Sequence, residues 1–221
     1  MELEKEYLEH KKKTIIDLVN RYNRSYVKEY QFGIDEENLD IHQTFCSGCK
    51  GCGKCCDRFP CVYSPRDFLD ITNLDYMRRI LDTGVVTIVR YNNKYPLIIR
   101  NRGVLDEDRI AGDDIDAYNT CLLLRDNGCM IPDSYRASQG LLYVVGDYGH
   151  AALYGDEDYL LEYDNYIYQE ALSKLYEEYK NVVIPKKSEI LYDDDRGISI
   201  PKYPMSEERV SEFIKSLTNK K

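Results

Sequence analysis

Apolar and polar positions along the chain alternate with two different rhythms. Ile15, Leu18, Val19, Tyr22 and Tyr26 recur at the three-and-four spacing of one helix face, while Lys11, Lys12, Asp17 and Arg21 fall elsewhere. This predicts an N-terminal helix within residues 1–32, ending before Gly33. Ser64-Pro65-Arg66-Asp67 reads as a helix start, with a Ser N-cap, Pro at the first helical position and an acid in the first turn. Phe68, Leu69, Ile71, Met77, Ile80 and Leu81 then supply apolar faces for one or two short helices stopped at Gly84. A long helix is expected from Glu157 to Tyr179, with Leu160, Tyr163, Ile167, Ala171, Leu175 and Tyr179 on one face. Ser206 caps a last helix carrying Val210, Phe213, Ile214 and Leu217.

The second rhythm is that of strands. Val85 to Tyr91 and Tyr95 to Arg100 are β-rich runs around Asn92-Asn93-Lys94 and predict a hairpin. A tighter hairpin is predicted from Cys121 to Ile131, turning at Asp126-Asn127-Gly128, which brings Cys121 and Cys129 onto facing strands. Asp35 to Thr44 and Asp106 to Asp116 are acidic and aperiodic and read as loops. The result is an α+β chain: a small irregular domain of helices and short hairpins, organised around its cysteines. It reads as a single domain over 1–221, with the N-terminal helix in 1–32, a metal-binding core in 42–146 and a helical part in 155–221.

Composition narrows the function. With 221 residues, 43% of them hydrophobic, the chain can bury one real core. Thirty Lys and Arg against 39 Asp and Glu leave a formal charge of −9, which opposes binding to a phosphate backbone and argues against nucleic acid as partner. No apolar run reaches the ~20 residues that span a bilayer, and Met1 to Lys13 is charged throughout, which predicts a cytoplasmic protein without a membrane segment. In a reducing compartment eight cysteines point to metal or catalysis ahead of disulfides.

The cysteines are concentrated. Cys46, Cys49, Cys52 and Cys55 follow one another with two-residue gaps, then come Cys56 and Cys61. Turns of that length bring thiolates to within the few ångströms that a shared ion needs, and Gly48, Gly51 and Gly53 allow the tight backbone. Cys55 and Cys56, as neighbours on an extended chain, would point to opposite sides and serve different sites. With Cys121 and Cys129, eight thiolates divide evenly into two tetrahedral four-cysteine sites. Cys46, Cys49, Cys52 and Cys56 also match the two-two-three spacing of bacterial ferredoxins, with Asp57 where Pro usually follows. Spacing names the ligands and leaves zinc and an iron–sulfur cluster both open. His10, His42 and His150 stand alone; of these, His42 lies nearest the cluster. The polar groups nearest the cysteines are Asp57, Arg58 and Asp67, which read as solvated loop charges. No nucleophilic triad, phosphate-binding glycine loop or dinucleotide fingerprint is present.

Cys49, Cys52, Cys55 and Cys56, in the order CxxCxxCC, resemble the signature of the zinc- or iron-chelating cysteine-cluster family often called YkgJ-like. Cys61-Val-Tyr-Ser-Pro-Arg-Asp67 resembles a downstream element of some members. Cys121, Leu124, Gly128 and Cys129, with Ile131-Pro132 and Tyr135-Arg136, resemble the family's second cysteine pair and the stretch directly after it. Ala137 stands where that pattern has Pro, and Gly140 where many members have a further Cys. The resemblance covers about Cys46 to Leu141 and implies metal chelation by a small cysteine-organised fold, without implying a substrate. The leading expectation is therefore a metal-binding protein in which zinc or an iron–sulfur cluster is structural or redox-active. The alternatives are an iron–sulfur enzyme or electron carrier, and a metal-stabilised module that docks a protein partner.

Overall fold

The computed structural model describes residues 2–25, 32–35, 40–43, 46–47, 53–91, 97–106, 108–114, 119–142, 164–185 and 187–221. Helix α1 is Glu2–Ser25, and its buried face is Tyr7, Lys11, Thr14, Ile15, Leu18 and Val19. Of the expected face Ile15, Leu18 and Val19 are buried, the side chain of Tyr22 and all of Tyr26 lie outside the described residues, and the buried stripe includes Lys11, which a charge-based reading places on the solvent side. The predicted loop from Asp35 to Thr44 contains strands instead. Here β1 (Phe32–Asp35), β2 (Asp40–Gln43) and β3 (Cys46–Ser47) form an antiparallel meander.

The central sheet has four strands in the order β4-β6-β5-β7: β4 (Val62–Tyr63), β5 (Val86–Tyr91), β6 (Leu97–Asn101) and β7 (Ala111–Asp114). The predicted β5–β6 hairpin is there, antiparallel, with Ile88 opposite Ile99 and Val89 opposite Ile98. Its turn lies outside the described residues. Strand β7 pairs parallel to β5, where the sequence predicts an acidic loop. Pairing, not side-chain pattern, makes it a strand: Ala111 and Gly112 offer almost no alternation, and their backbone completes an edge. Val86, Thr87, Ile88 and Val89 are consecutively buried, as in a strand covered on both faces.

Between β4 and β5 the chain makes a short 3-10 turn, Pro65–Asp67, and then helix α2, Leu74–Asp82. Asn73 caps α2 by accepting the Tyr76 N–H at 3.1 Å, and Tyr76, Met77, Ile80 and Leu81 bury its apolar stripe. Hairpin β8 (Leu124–Arg125) to β9 (Gly128–Cys129) forms at the predicted turn, with Gly128 at φ 110°, but it is shorter than expected: Cys129 faces Leu124, while Cys121 lies outside it and pairs with Gly103, so the two cysteines are not on facing strands. A 3-10 turn over Asp133–Tyr135 leads to α3, Ser138–Leu142. Helix α4 is Gln169–Tyr179; it buries Leu172, Leu175, Tyr176 and Tyr179, whereas Ile167, expected on that face, is 51% exposed. The expected start at Glu157 lies outside the described residues. An unforeseen hairpin, β10 (Ile190–Asp193) with β11 (Ile198–Pro201), precedes α5, Glu207–Thr218. Ser206 caps α5 as read from the sequence, accepting the Arg209 N–H at 3.4 Å.

The molecule is thus α+β, and its apolar core draws on α1, α2, β5, β6, α4 and α5, from Tyr7 to Leu217. Among the described residues no helix is long and apolar enough to cross a membrane. At the edge of this core sits a buried polar knot. Lys11, Asp67 and Ser138 are each fully inaccessible. Asp67 forms an ion pair with the Lys11 ammonium and accepts the Ser138 hydroxyl. Its second oxygen accepts the N–H groups of Ser64 and Ser138, both at 2.9 Å. A buried charge left without its counter-ion costs about 3–5 kcal/mol. Lys11→Met should therefore lower the unfolding free energy by about 3–5 kcal/mol in urea denaturation, and a loss under about 1 kcal/mol would show that the pair does not hold α1 in place.

Candidate functional site

The local backbone of the cysteine segment is set by one glycine. Gly53 has φ +82°, and a Cβ there would lie 2.8 Å from Ile198 Cδ1 and 3.0 Å from Leu124 Cδ1. It is glycine because β8 and β11 press on it and because the left-handed backbone suits no other residue as well. From it the chain coils: the Asp57 N–H donates to the Gly53 carbonyl at 2.8 Å, and the Arg58 and Phe59 N–H groups donate to the Cys55 carbonyl at 3.0 and 2.8 Å. Cys55 and Cys56 therefore lie in a hydrogen-bonded turn. The extended backbone expected for them from the sequence is absent, and with it the reason for assigning the pair to opposite sides.

Three segments distant in sequence then meet. The Cys121 N–H donates to the Cys56 carbonyl at 2.7 Å, and the Asn101 N–H to the Cys61 carbonyl at 2.9 Å. Cys121 lies opposite Gly103 in an antiparallel bridge, and Cys129 lies opposite Leu124 in the β8–β9 hairpin. The sulfurs feel one another. The Cys61 thiol is pushed up, first by its hydrogen bond to the Cys56 sulfur, then by burial and by Cys56, Cys121 and Cys129. That same bond, followed by the nearby Arg136 guanidinium against the cost of burial, holds Cys56 below the ordinary thiol value. Burial, then Cys56 and Cys129, raise Cys121. Four of the eight cysteines, Cys56, Cys61, Cys121 and Cys129, thus form one electrostatic neighbourhood. Cys55, Cys56, Cys61, Cys121 and Cys129 form no disulfide.

Neighbourhood is not ligation. Among the described residues, no three His, Cys, Asp or Glu side chains are placed to hold a metal ion between them. Cys46 lies in β3 opposite Gln43, and Cys49 and Cys52 lie outside the described residues. As a donor set, four soft sulfurs at a half-buried junction fit zinc or an iron–sulfur centre better than they fit oxygen-seeking ions.

Helix α3 forms one wall. Its first three residues each engage the segment from Cys61 to Asp67: Ser138 holds Asp67, Gln139 Oε1 accepts the Val62 N–H at 2.7 Å, and Gly140 lies against Cys61. A Cβ on Gly140 would lie 3.0 Å from Cys61 Sγ.

Asn101 is a residue that sequence reasoning missed. It faces Cys61 across the β4–β6 ladder, in register with Val62 opposite Arg100, and its buried Oδ1 has no hydrogen-bond partner. Opposed residues share a face. An asparagine between two arginines gives no hint of this in the sequence; only register does. The three polar groups read as loop charges divide differently. Asp67 belongs to the buried knot, Asp57 accepts the Ser199 N–H at 2.9 Å, and Arg58 is exposed. His10 is 2.8 Å from the Arg66 carbonyl, remote from the cysteines in sequence, and His42 lies in β2 opposite Ser47.

Comparison with family models, curated proteins and solved structures finds no match to this chain. The geometry at Gly140 can be checked directly. Its built Cβ is 3.4 Å from Cys61 Cβ, close to the ~3.5–4.5 Å separation found in disulfides. Under mild oxidation of metal-free protein, Gly140→Cys should form a bond from the new thiol to Cys61, identified by non-reducing peptide mass mapping. Pairing of that thiol with any other cysteine would contradict this placement of α3.

Proposed function

We propose that this is a thiolate metal-binding protein in which Cys56, Cys61, Cys121 and Cys129 hold one metal centre, zinc or an iron–sulfur cluster, whose role is structural or redox. The observation that carries the reading is geometric: the Cys121 N–H donates to the Cys56 carbonyl at 2.7 Å, with Cys61 five residues after Cys56 and Cys129 eight after Cys121 on the folded-back hairpin, so cysteines from separate segments are drawn to one junction. Cysteines drawn together from positions 56 to 129 with no disulfide between them offer the soft donors that a shared metal takes. The resemblance to the cysteine-chelating family supports the same reading, and so does the position of Gly140 beside Cys61. Cys46, Cys49, Cys52 and Cys55 then remain as a second set of four with two-residue gaps, which keeps the division of the eight into two centres. A bound metal would supply charge neutralisation for the thiolates, and in the iron–sulfur form one-electron redox chemistry. Such thiols persist in a reducing cytoplasm, the compartment that suits this role.

The chain's own residues set what the centre can do. The apolar core extends well away from the cysteines, so a metal here organises the junction of 53–61 with 121–131 and does not stand in for the core. Protein isolated without oxygen and fully reconstituted should carry about two zinc ions or clusters per chain, and Cys121→Ser about one, by elemental analysis. A brown protein whose visible absorbance bleaches on reduction selects the iron–sulfur form, and a colourless one selects zinc. Chelation should raise amide exchange across 53–61 and 121–131 while α2 and α5 stay protected. A metal content that Cys121→Ser leaves unchanged would remove the centre proposed here.

A further inference from the structure

The β10–β11 hairpin rests on the start of the cysteine coil by one strand only. Ile198 of β11 packs on Gly53, whereas β10 is the outer strand of a two-stranded sheet and pairs with no other strand among the described residues. Along it Ile190, Leu191 and Tyr192 are 42%, 47% and 65% exposed, so an apolar run shows both faces to water. A two-stranded ribbon is marginal in water, and an exposed apolar edge is a template for a further strand.

The hydrogen-bond phase of the hairpin fixes what this edge offers. The Lys202 N–H donates to the Glu189 carbonyl at 2.6 Å, and bonded pairs alternate along an antiparallel ladder. Leu191 with Ile200 and Asp193 with Ile198 are therefore bonded pairs, while Ile190 with Pro201 and Tyr192 with Ser199 are not. Two residues of β11 agree with this phase: Pro201 has no N–H to give, and the Ser199 N–H donates to Asp57 at 2.9 Å. The backbone N–H and C=O groups of Ile190 and Tyr192 thus point away from β11, and those of Leu191 point toward it.

An edge with this phase is complementary to itself. Set antiparallel to a second copy about a twofold axis at Leu191, Ile190 meets Tyr192 of the second copy, and each such pair exchanges two backbone hydrogen bonds through its outward groups. Leu191 meets its own counterpart as the closer, non-bonded pair, so all three apolar side chains face apolar ones. The charges follow the same register. Lys187, exposed just before β10, lies toward the exposed Asp195 of the second copy, and neither has an ion pair among the described residues. Asp194 falls opposite Ser188. Glu189 falls opposite Asp193 of the second copy, but each already holds a cation of its own, Lys202 at 2.8 Å and Arg196 at 2.6 Å. At physiological ionic strength the formal charge of −9 on each chain is screened beyond about 8 Å, which leaves these local charges to decide.

We propose that the chain forms a weak symmetric dimer in which β10 pairs with β10 of a second copy, centred on Leu191. The strand edge supplies direction and register, and Ile190, Leu191 and Tyr192 supply the burial. The dimer does not depend on the metal centre, because neither strand of the hairpin contains a cysteine.

The test is sedimentation velocity of the full, metal-replete chain at physiological salt. It should show a monomer–dimer equilibrium with a dissociation constant of about 10–100 μM, in keeping with an interface below ~1,200 Å². Leu191→Lys, which sets two ammonium groups on the axis, should leave only monomer while the melting temperature stays unchanged. Lys187→Asp should weaken the dimer about threefold, and adding Asp195→Lys should restore it. Under oxidised glutathione, Leu191→Cys should join its introduced thiols to each other across the axis, and Ile190→Cys should not, as read by non-reducing peptide mass mapping. A chain still monomeric at about 1 mM would overturn the proposal. So would a dimer that Leu191→Lys leaves intact, a charge exchange that restores nothing, or self-pairing of the thiols from Ile190→Cys in place of those from Leu191→Cys.

Discussion

The arrangement of this molecule turns on one buried carboxylate. Asp67 is inaccessible to water, and moving such a charge out of water costs several kcal/mol unless every lone pair finds a donor. It finds four: an ammonium from α1, a hydroxyl and an N–H from the first residue of α3, and the N–H of Ser64 in its own turn. Those donors come from positions 11, 64 and 138, so satisfying the charge fixes three distant parts of the chain against one another. Tyr7 stacks on Tyr135 with ring centres 5.6 Å apart, which clamps the same junction from its apolar side. The cysteines inherit their geometry from this knot. Once Ser138 is held on Asp67, the next two residues of α3 must lie along Val62 and Cys61, and they do.

How far the sequence foretells this depends on which physical signal each feature leaves. Helices α1, α2 and α5 and both predicted hairpins carry periodic side chains or capping chemistry, and the Asn73 and Ser206 caps are made by the side chains such positions favour. Strands β1, β2 and β7 leave no such trace. They contain glycine and acids, and what makes them strands is the backbone of a neighbour. Lys11 is the most instructive departure. It sits one turn from Tyr7 and one from Ile15, squarely on the buried stripe, whereas its charge alone assigns it to solvent, because lysine is seldom buried. The exception has a cause that lies 56 residues away and cannot be seen from the helix alone.

The candidate site is legible in kind and only partly in arrangement. Spacing marks the six cysteines from Cys46 to Cys61 as one group, and the hairpin signal adds Cys129, while Cys121 pairs with Gly103 outside the hairpin. What spacing cannot give is the partition. An extended chain would separate Cys55 from Cys56, whereas the turn that starts at Gly53 replaces that premise with a coil. Tertiary pairing ties Cys56 to Cys121 through the backbone, and Cys61 to Asn101.

This places the proposed metal centre in a particular mechanical position. Its four sulfurs lie where the coil after Gly53, the first strand of the central sheet and the β8–β9 hairpin come together, and Leu124 of that hairpin packs directly on Gly53. The Asp67 knot holds the Cys61 side of that junction from outside, and the apolar core holds Cys121, which is 2% exposed. Cys56, Cys61 and Cys129 are partly exposed. A centre built this way would have one ligand, Cys121, anchored in the core and three at its partly exposed side, so loss of an ion would release that side while the anchor stayed. That asymmetry is why the metal is assigned to organising a junction, and why the stability of the domain as a whole is assigned to the core and to Asp67.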